Sequence, residues 1–253
     1  MQNIAPKTLF TGQQLVYLPQ CDSTNTIAHD LLIKNKATEG CVVITSAQTR
    51  GRGQRGNTWE AEPGKNITLS LILKPSFVAI QNQFLLNIAV SLAVADLAKA
   101  FLPHQLLKVK WPNDLYYGNK KLGGILIENT INNLFLQHSI VGIGLNINQL
   151  SFANEGAISF AQLTGKEYTL ESVIEQLLTC LEVRYLELKQ GKLAKQKFEY
   201  LQILYRYQEE YDYRIADKVV KGKILGIAEN GKLGLQIENE IKYFDFKEIS
   251  YML

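Results

Sequence analysis

From Phe84 to Phe101 the chain is almost wholly apolar, and the little polarity it carries is ordered. Asn87, Ser91, Asp96 and Lys99 interrupt the run. Gln83, Asn87, Ser91 and Lys99 recur at multiples of four, which draws one polar stripe down a helix whose other faces are apolar. Such a helix has to be enclosed by protein on most sides. That many polar groups argue against a membrane span.

Enclosing it takes a large core, and the chain can build one. Its 253 residues suit one large domain, or a large one with a small appendage. Apolar residues make up 46% and charged residues 20%, the balance of an ordinary globular protein rather than a disordered one. A chain of this length buries most of its apolar surface without staples. The net charge of +3 is too small to argue for nucleic acid. Cys21, Cys41 and Cys180 are odd in number and form no CxxC. Neither a disulfide framework nor a zinc site is therefore expected. Buried thiols in a reducing compartment are the plain reading. The first residues lack a basic start followed by an apolar core, so no secretory signal is expected.

The remaining periodicities alternate between strand and helix. Asp22-Ser23-Thr24 offers N-cap chemistry, and Ile27, Ala28, Leu31 and Leu32 follow at helical spacing. CVVITS, from Cys41 to Ser46, and ITLSLIL, from Ile67 to Leu73, read as buried strands. Leu107 to Val109, Ile125 to Ile127 and Ile140 to Leu145 are further strand candidates. Leu170, Val173, Ile174, Leu177, Leu178 and Leu181 form a helical stripe that Gly191 can stop. Helical pattern then resumes to about Tyr207.

From Tyr211 onward short alternating strands are expected. Asn230-Gly231, between Ile224–Ala228 and Leu233–Ile237, is a strong hairpin signal. The class is α+β: a larger part, 1–208, mixing helices with a sheet, and a small β-barrel over 209–253.

The segment richest in chemistry is Gln48-Thr49-Arg50-Gly51-Arg52-Gly53-Gln54-Arg55-Gly56-Asn57-Thr58-Trp59. Its glycines let the backbone turn tightly and expose N–H groups. Its arginines add fork-shaped donors that match carboxylate and phosphate. Like charges and glycine entropy both oppose ordering such a loop, and an anionic ligand would offset both. A passive surface loop is the alternative. Gly51-Arg52-Gly53-Gln54-Arg55-Gly56 also fits the G-x-G-x-x-G dinucleotide pattern, but that pattern needs a helix directly after it and an acidic residue about 20 residues on. Here Pro63-Gly64 and another strand follow, and 65–80 holds no acidic residue.

Lys110-Trp111-Pro112-Asn113-Asp114 ends a strand, where Pro112 stops the ladder and leaves Asn113 and Asp114 on the turn beyond. Trp111 as plain core, and Lys110 with Asp114 as a surface pair, stay open. Lys121-Leu122-Gly123-Gly124 opens a buried strand. Glycines there let a ligand lie against the backbone, and the lysine can reach its charge. Gly142-Ile143-Gly144-Leu145-Asn146-Ile147-Asn148 also ends a strand in glycine and asparagine, and a turn cap is the bland role for Asn146.

Taken together, Ser23-Thr24-Asn25, the Gln48 to Trp59 loop, KWPND, KLGG and GIGLNIN resemble the biotin protein ligase family in order and spacing. The resemblance covers nearly the whole chain and is weakest after residue 150. It implies a class II synthetase-like catalytic domain, a mixed β-sheet with helices, followed by a small SH3-like β-barrel. It implies that biotin and ATP, with magnesium on the phosphates, give biotinyl-5′-AMP and pyrophosphate, and that a lysine of a biotin carboxyl carrier protein then takes the biotin. No tightly bound prosthetic group is implied.

Site roles follow from the same resemblance. Ser23, Thr24, Asn25 and Gln48 would meet the biotin ring system, whose urea-like head needs hydroxyl and amide complements. Arg52, Gly53 and Gln54 would close over its tail, with Gly124 giving it room. Lys121 would hold the carboxylate and then the charge at the α-phosphate. Arg55, Trp59, Lys110, Asn113, Lys121 and Asn146 would serve the nucleotide. Lys121, Arg52 and Asp114 are the catalytic candidates, with Asp114 orienting or deprotonating the incoming lysine.

Asn57 stands where many relatives are basic, and Gln54 where arginine is common, so adenylate retention is expected to differ. Some relatives carry a DNA-binding domain before these motifs. Ser23 lies close to the start of the sequence, and no sequence-specific DNA binding is expected. A cytoplasmic monomer or weak homodimer is the expectation. The enzymatic rival is a lipoate-type ligase. The non-enzymatic rival is a nucleotide- or RNA-binding module using the arginine loop, which predicts a wider basic and aromatic face.

Overall fold

The computed structural model describes residues 4–252, apart from the side chain of Arg55. The chain opens with β1 (Leu15–Cys21), α1 (Thr24–Ile33), β2 (Val42–Gln48) and β3 (Ile67–Leu73). It continues with α2 (Phe84–Lys99), β4 (Leu107–Lys110), β5 (Asp114–Tyr117), β6 (Lys120–Asn132) and β7 (Phe135–Leu145). Three helices follow: α3 (Phe160–Thr164), α4 (Leu170–Lys189) and α5 (Leu193–Gln202). The last strands are β8 (Glu210–Ile215), β9 (Lys218–Ile227), β10 (Leu233–Ile237), β11 (Glu240–Phe244) and β12 (Ile249–Tyr251).

β1 to β7 form one mixed sheet in the order β1-β2-β3-β7-β6-β5-β4. Only β1 and β2 run parallel within it, and the other pairs are antiparallel. Side chains alternate across it with period two. On β3, Ile67, Leu69, Leu71 and Leu73 join the main core beneath α2 and α4, whereas Ile72 faces α1 with Val43 and Ile140. All seven residues of β3 are buried, as a strand covered on both faces requires. The α+β class is thus observed.

α2 has twelve of its sixteen residues buried. It is long and apolar enough to cross a membrane by length and composition, yet most of that window is enclosed by the fold. Its polar stripe has partners. The Asn87 amide donates to the carbonyl of Pro112 at 3.0 Å, and Gln83 accepts from Asn129 at 3.1 Å.

Several local expectations need correction. β1 and β5 lacked a distinct periodic signal, and β6 and β7 extend well past the short runs read from sequence. Asp114 is the first residue of β5 rather than part of the turn, because it pairs with both Lys110 and Gly124. Ser23 is the N-cap residue of α1, but its side chain makes no capping bond. The Gln48 side chain accepts from the Thr24 N–H at 2.8 Å instead. The helix expected to reach about Tyr207 ends at Gln202, and the chain turns through positive-φ residues at Arg206 and Gln208.

β8 to β12 form a second, wholly antiparallel sheet in the order β11-β10-β9-β8-β12, consistent with the small SH3-like domain expected. The Asn230-Gly231 turn joins β9 to β10, with Gly231 at φ +89°. That turn is also an anchor. Trp111 Nε1 donates to the Gly231 carbonyl at 2.9 Å, and a Cβ on Gly231 would stand 2.7 Å from the Phe84 ring. Tyr213, Ile224, Leu233, Leu235 and Ile249 belong to the same core as α2.

Candidate active site

Period two also makes the site. On the α1 face, Thr68 and Ser70 of β3 and Gly142 and Gly144 of β7 occupy positions where longer side chains would fill the space. α1 covers only part of that face. The remainder is a cleft of about 240 Å³.

Its floor is a chain of hydrogen bonds. The Ser70 hydroxyl lies 2.7 Å from the Thr24 hydroxyl and 2.6 Å from Asn25 Oδ1. Thr24 reaches Gln48 Oε1 through its N–H at 2.8 Å. Ser23, Thr24 and Asn25 are buried, and all three line the cleft with Gln48. The space for Asn25 exists because Gly142 lacks a Cβ, which would otherwise stand 2.4 Å from Asn25 Oδ1.

The glycine–arginine loop forms the wall. Asp22 pins its base, accepting from the Thr49 hydroxyl at 2.9 Å and from the Arg50 N–H at 2.9 Å. Above that it pairs with itself. Arg52 bridges Thr58, the Gly53 N–H donates to the Asn57 carbonyl at 2.7 Å, and the Trp59 N–H donates to Gly51 at 3.0 Å. Gln54–Gly56 makes the 3₁₀ turn at the tip. No helix follows, so the dinucleotide pattern is absent structurally as well. Arg52, Gly53, Gln54 and Trp59 all line the cleft. The side chain of Arg55, expected at the nucleotide, lies outside the described residues.

At the charged end, Lys121 Nζ pairs with Asp114 Oδ1 at 2.8 Å. Gly124 makes room for the pair, since a Cβ there would lie 3.3 Å from Lys121 Nζ and 3.4 Å from Asp114 Oδ1. Lys121 Nζ also sits 5.8 Å from the Trp59 ring centroid, inside cation–π range. The lysine backbone is held on both sides: its N–H donates to Gly156 at 2.7 Å and its carbonyl accepts from Ile158 at 2.9 Å. Asn113, Asp114, Lys121 and Gly124 line the cleft.

Two expected nucleotide residues do not line it. Lys110 Nζ contacts the Tyr116 hydroxyl at 3.1 Å and lies 4.9 Å from both the Tyr116 and Tyr251 ring centroids. Burial pulls its pKa below the usual lysine value, against the opposing field of Asp114. Asn146 donates to the Ile158 carbonyl at 3.1 Å and to that of Lys121 at 3.4 Å, so it braces the Lys121 backbone from behind.

Sequence reasoning missed other groups. Ser70 was one letter in an apolar strand. Glu128 of β6 accepts from both Asn25 and Arg52. Phe246, between β11 and β12, lines the cleft from the second sheet, 6.4 Å from Trp111. No local signal marks it. Trp59 Nε1 is buried and, among the described residues, has no hydrogen-bond partner. Among the described residues no group of three or more His, Cys, Asp or Glu could hold a metal ion.

Known proteins resemble this chain in sequence and in fold. The profile of the Biotin/lipoate A/B protein ligase family matches residues 17–146. The bifunctional ligase/repressor BirA of Bacillus spizizenii is 33% identical over 93% of this chain and 73% of its own length. The biotin–[acetyl-CoA-carboxylase] ligase of Mycobacterium tuberculosis is 32% identical over 69% of this chain and 65% of its own. The biotin protein ligase of Aquifex aeolicus, solved with biotin and ATP, superposes with a TM-score of 0.77 at 26% identity, over 94% of this chain and 98% of that one. This chain belongs to the biotin/lipoate A/B protein ligase family.

Proposed function

We propose that this protein is a biotin protein ligase that joins biotin to AMP and passes it to a lysine of a biotin carboxyl carrier domain. One observation carries the reading: a single cleft holds a polar floor of Thr24, Asn25 and Gln48 at one end and the Lys121–Asp114 pair at the other. The floor presents the hydroxyl and amide groups that a urea-like ring requires. The charged end suits a carboxylate and a phosphate.

In the first step a biotin carboxylate oxygen attacks the α-phosphorus of ATP. The bond to the β-phosphate breaks, and pyrophosphate leaves. A carboxylate is a poor electrophile, and the mixed anhydride gives it a good leaving group. Positioning and charge stabilisation do the work, without a protein nucleophile. Lys121 supplies the positive charge between the two anions. Its pairing with Asp114 keeps the lysine oriented before the substrates arrive. The Trp59 indole N–H and the Arg52 side chain close the wall over the bound pair.

In the second step the carrier lysine attacks the acyl carbon, the bond to AMP breaks, and the amine loses a proton. Asp114 is the acceptor proposed for that proton, once the AMP phosphate has taken over Lys121. Most lysine is charged at neutral pH, with a free pKa of about 10.4, so a nearby carboxylate helps.

We divide the chain at 208/209 into a catalytic part and a small C-terminal domain, and place its work in the cytoplasm, where its three free cysteines stay reduced. It acts as a monomer or weak homodimer, and DNA is not among its proposed partners.

The test is direct. Incubation with biotin, ATP and magnesium should give biotinyl-AMP by mass, and adding an apo carrier domain should give a biotinylated lysine. Lipoate in place of biotin should give no adenylate. An adenylate formed with lipoate alone would move the assignment to the lipoate branch.

A further inference from the structure

We infer that Glu128 is a positioning residue that couples closure of the glycine–arginine loop to the orientation of the pocket floor; this rests on the ligase reading above. Glu128 ends the KLGGILIE segment, and no role has been assigned to it. Its Oε2 accepts two hydrogen bonds, from Asn25 Nδ2 at 2.7 Å and from Arg52 Nη2 at 3.1 Å. One oxygen thus serves the floor and the wall together.

Each donor depends on it in a different way. Asn25 is buried in the cleft floor, and its Oδ1 is taken by Ser70 at 2.6 Å. Its amide nitrogen therefore faces β6, where it donates to Glu128 at 2.7 Å and, at the longer distance of 3.5 Å, to the Leu126 carbonyl. Without that carboxylate the amide keeps only the longer contact to the Leu126 carbonyl and is held less firmly.

Arg52 depends on it because the loop has little else. Among the described residues, the other hydrogen bonds made by segment 52–58 are internal to the loop. Arg52, Gly53, Asn57 and Thr58 are a thin wall with the main cleft on one side and an outer groove, lined by Leu126 and Glu128, on the other. A wall open on both faces has little packing to hold it.

The two bonds also differ in strength. The Arg52 and Glu128 side chains are 46% and 39% exposed, so their ion pair is weak and can exchange. The bond to buried Asn25 is the firm one. When a ligand fixes Asn25, Glu128 is held where Arg52 finds it, and the loop closes. When the loop lifts, the carboxylate loses its cation and holds Asn25 less firmly. Coupling of this kind is reciprocal.

Glu128→Gln keeps the shape and removes the charge. The KM for biotin and the rate of biotin dissociation should rise about tenfold, within the usual span of such couplings. The KM for ATP and the thermal midpoint should stay near wild type. Combining it with Arg52→Ala should weaken biotin no further than the stronger single variant. The inference fails if Glu128→Gln binds biotin as wild type does. It fails equally if the two substitutions add, or if stability and kcat fall together without a shift in KM, as a purely structural role would give. A wild-type protein that makes no biotinyl-AMP would instead refute the ligase reading itself, and this inference with it.

Discussion

The Trp59 indole sits directly over Gly144, where an added Cβ would stand 2.4 Å from its Cε2. A loop residue and a strand residue 85 positions apart therefore share one volume. Gly144→Ala should push the indole outward, and with it the wall that Arg52 and Gly53 form. A misplacement of about 1 Å is enough to cost on the order of a hundredfold in rate. Adenylate formation should fall at least about tenfold while circular dichroism stays native. Full activity in that variant would remove the wall from the mechanism.

Lys121 and Asp114 should separate by step. Lys121→Ala removes the cation at the developing charge, and kcat for adenylate formation should drop about 10²–10³-fold. Asp114→Asn should slow transfer to the carrier lysine by about 10²-fold and disturb adenylate formation less. Single-turnover assays, started from biotin and ATP or from preformed adenylate, separate the two steps. Equal losses in both would leave Asp114 as a mere partner of Lys121.

Glu182 of α4 holds the N-terminal strap. Its carboxylate accepts from the N–H groups of Leu9, Phe10 and Thr11 at 2.7 to 2.9 Å. Burial raises its pKa, but these donors outweigh it and hold the carboxyl below its ordinary 4.5. A carboxyl depressed on folding adds stability above its unfolded pKa and loses it as the pH falls toward the folded value. The strap should therefore stay pinned at neutral pH and loosen only in acid below about 4.5. Glu182→Ala should cost on the order of 3 kcal/mol, because three N–H groups lose their acceptor, and should flatten the acid limb of the stability curve. Urea titrations at several pH values check both.

The second sheet should loosen from one substitution. Gly231→Ala places a Cβ at φ +89° against Phe84, a strain of about 1–3 kcal/mol. It also disturbs the Trp111–Gly231 bond. Faster proteolysis in 203–209 and a lower thermal midpoint are expected. Wild-type resistance would mean that the turn is not the anchor.

Much of this was legible in the sequence because the signals were local. ITLSLIL reads as a buried strand from its own composition, and the polar stripe of 83–99 from its own spacing. Asn230-Gly231 names its turn because few other pairs tolerate that backbone. The charged loop, KWPND and KLGG likewise announce chemistry through residue types that packing alone does not explain. β1 and β5 escaped because their patterns are mixed: β1 is only partly buried, and β5 has four residues.

The sequence by itself determined the class of the fold, the segments that carry charge and glycine, and most of the residues that meet in the cleft. Only the tertiary structure decided which partners they find there: Glu128 under both Asn25 and Arg52, Ser70 between Thr24 and Asn25, Phe246 arriving from the turn between β11 and β12, and Lys110 against Tyr116 and Tyr251. The reason is physical. Propensity and periodicity act over a few neighbouring residues, whereas these contacts follow from strand register, and a shift of one residue would send each side chain to the opposite face.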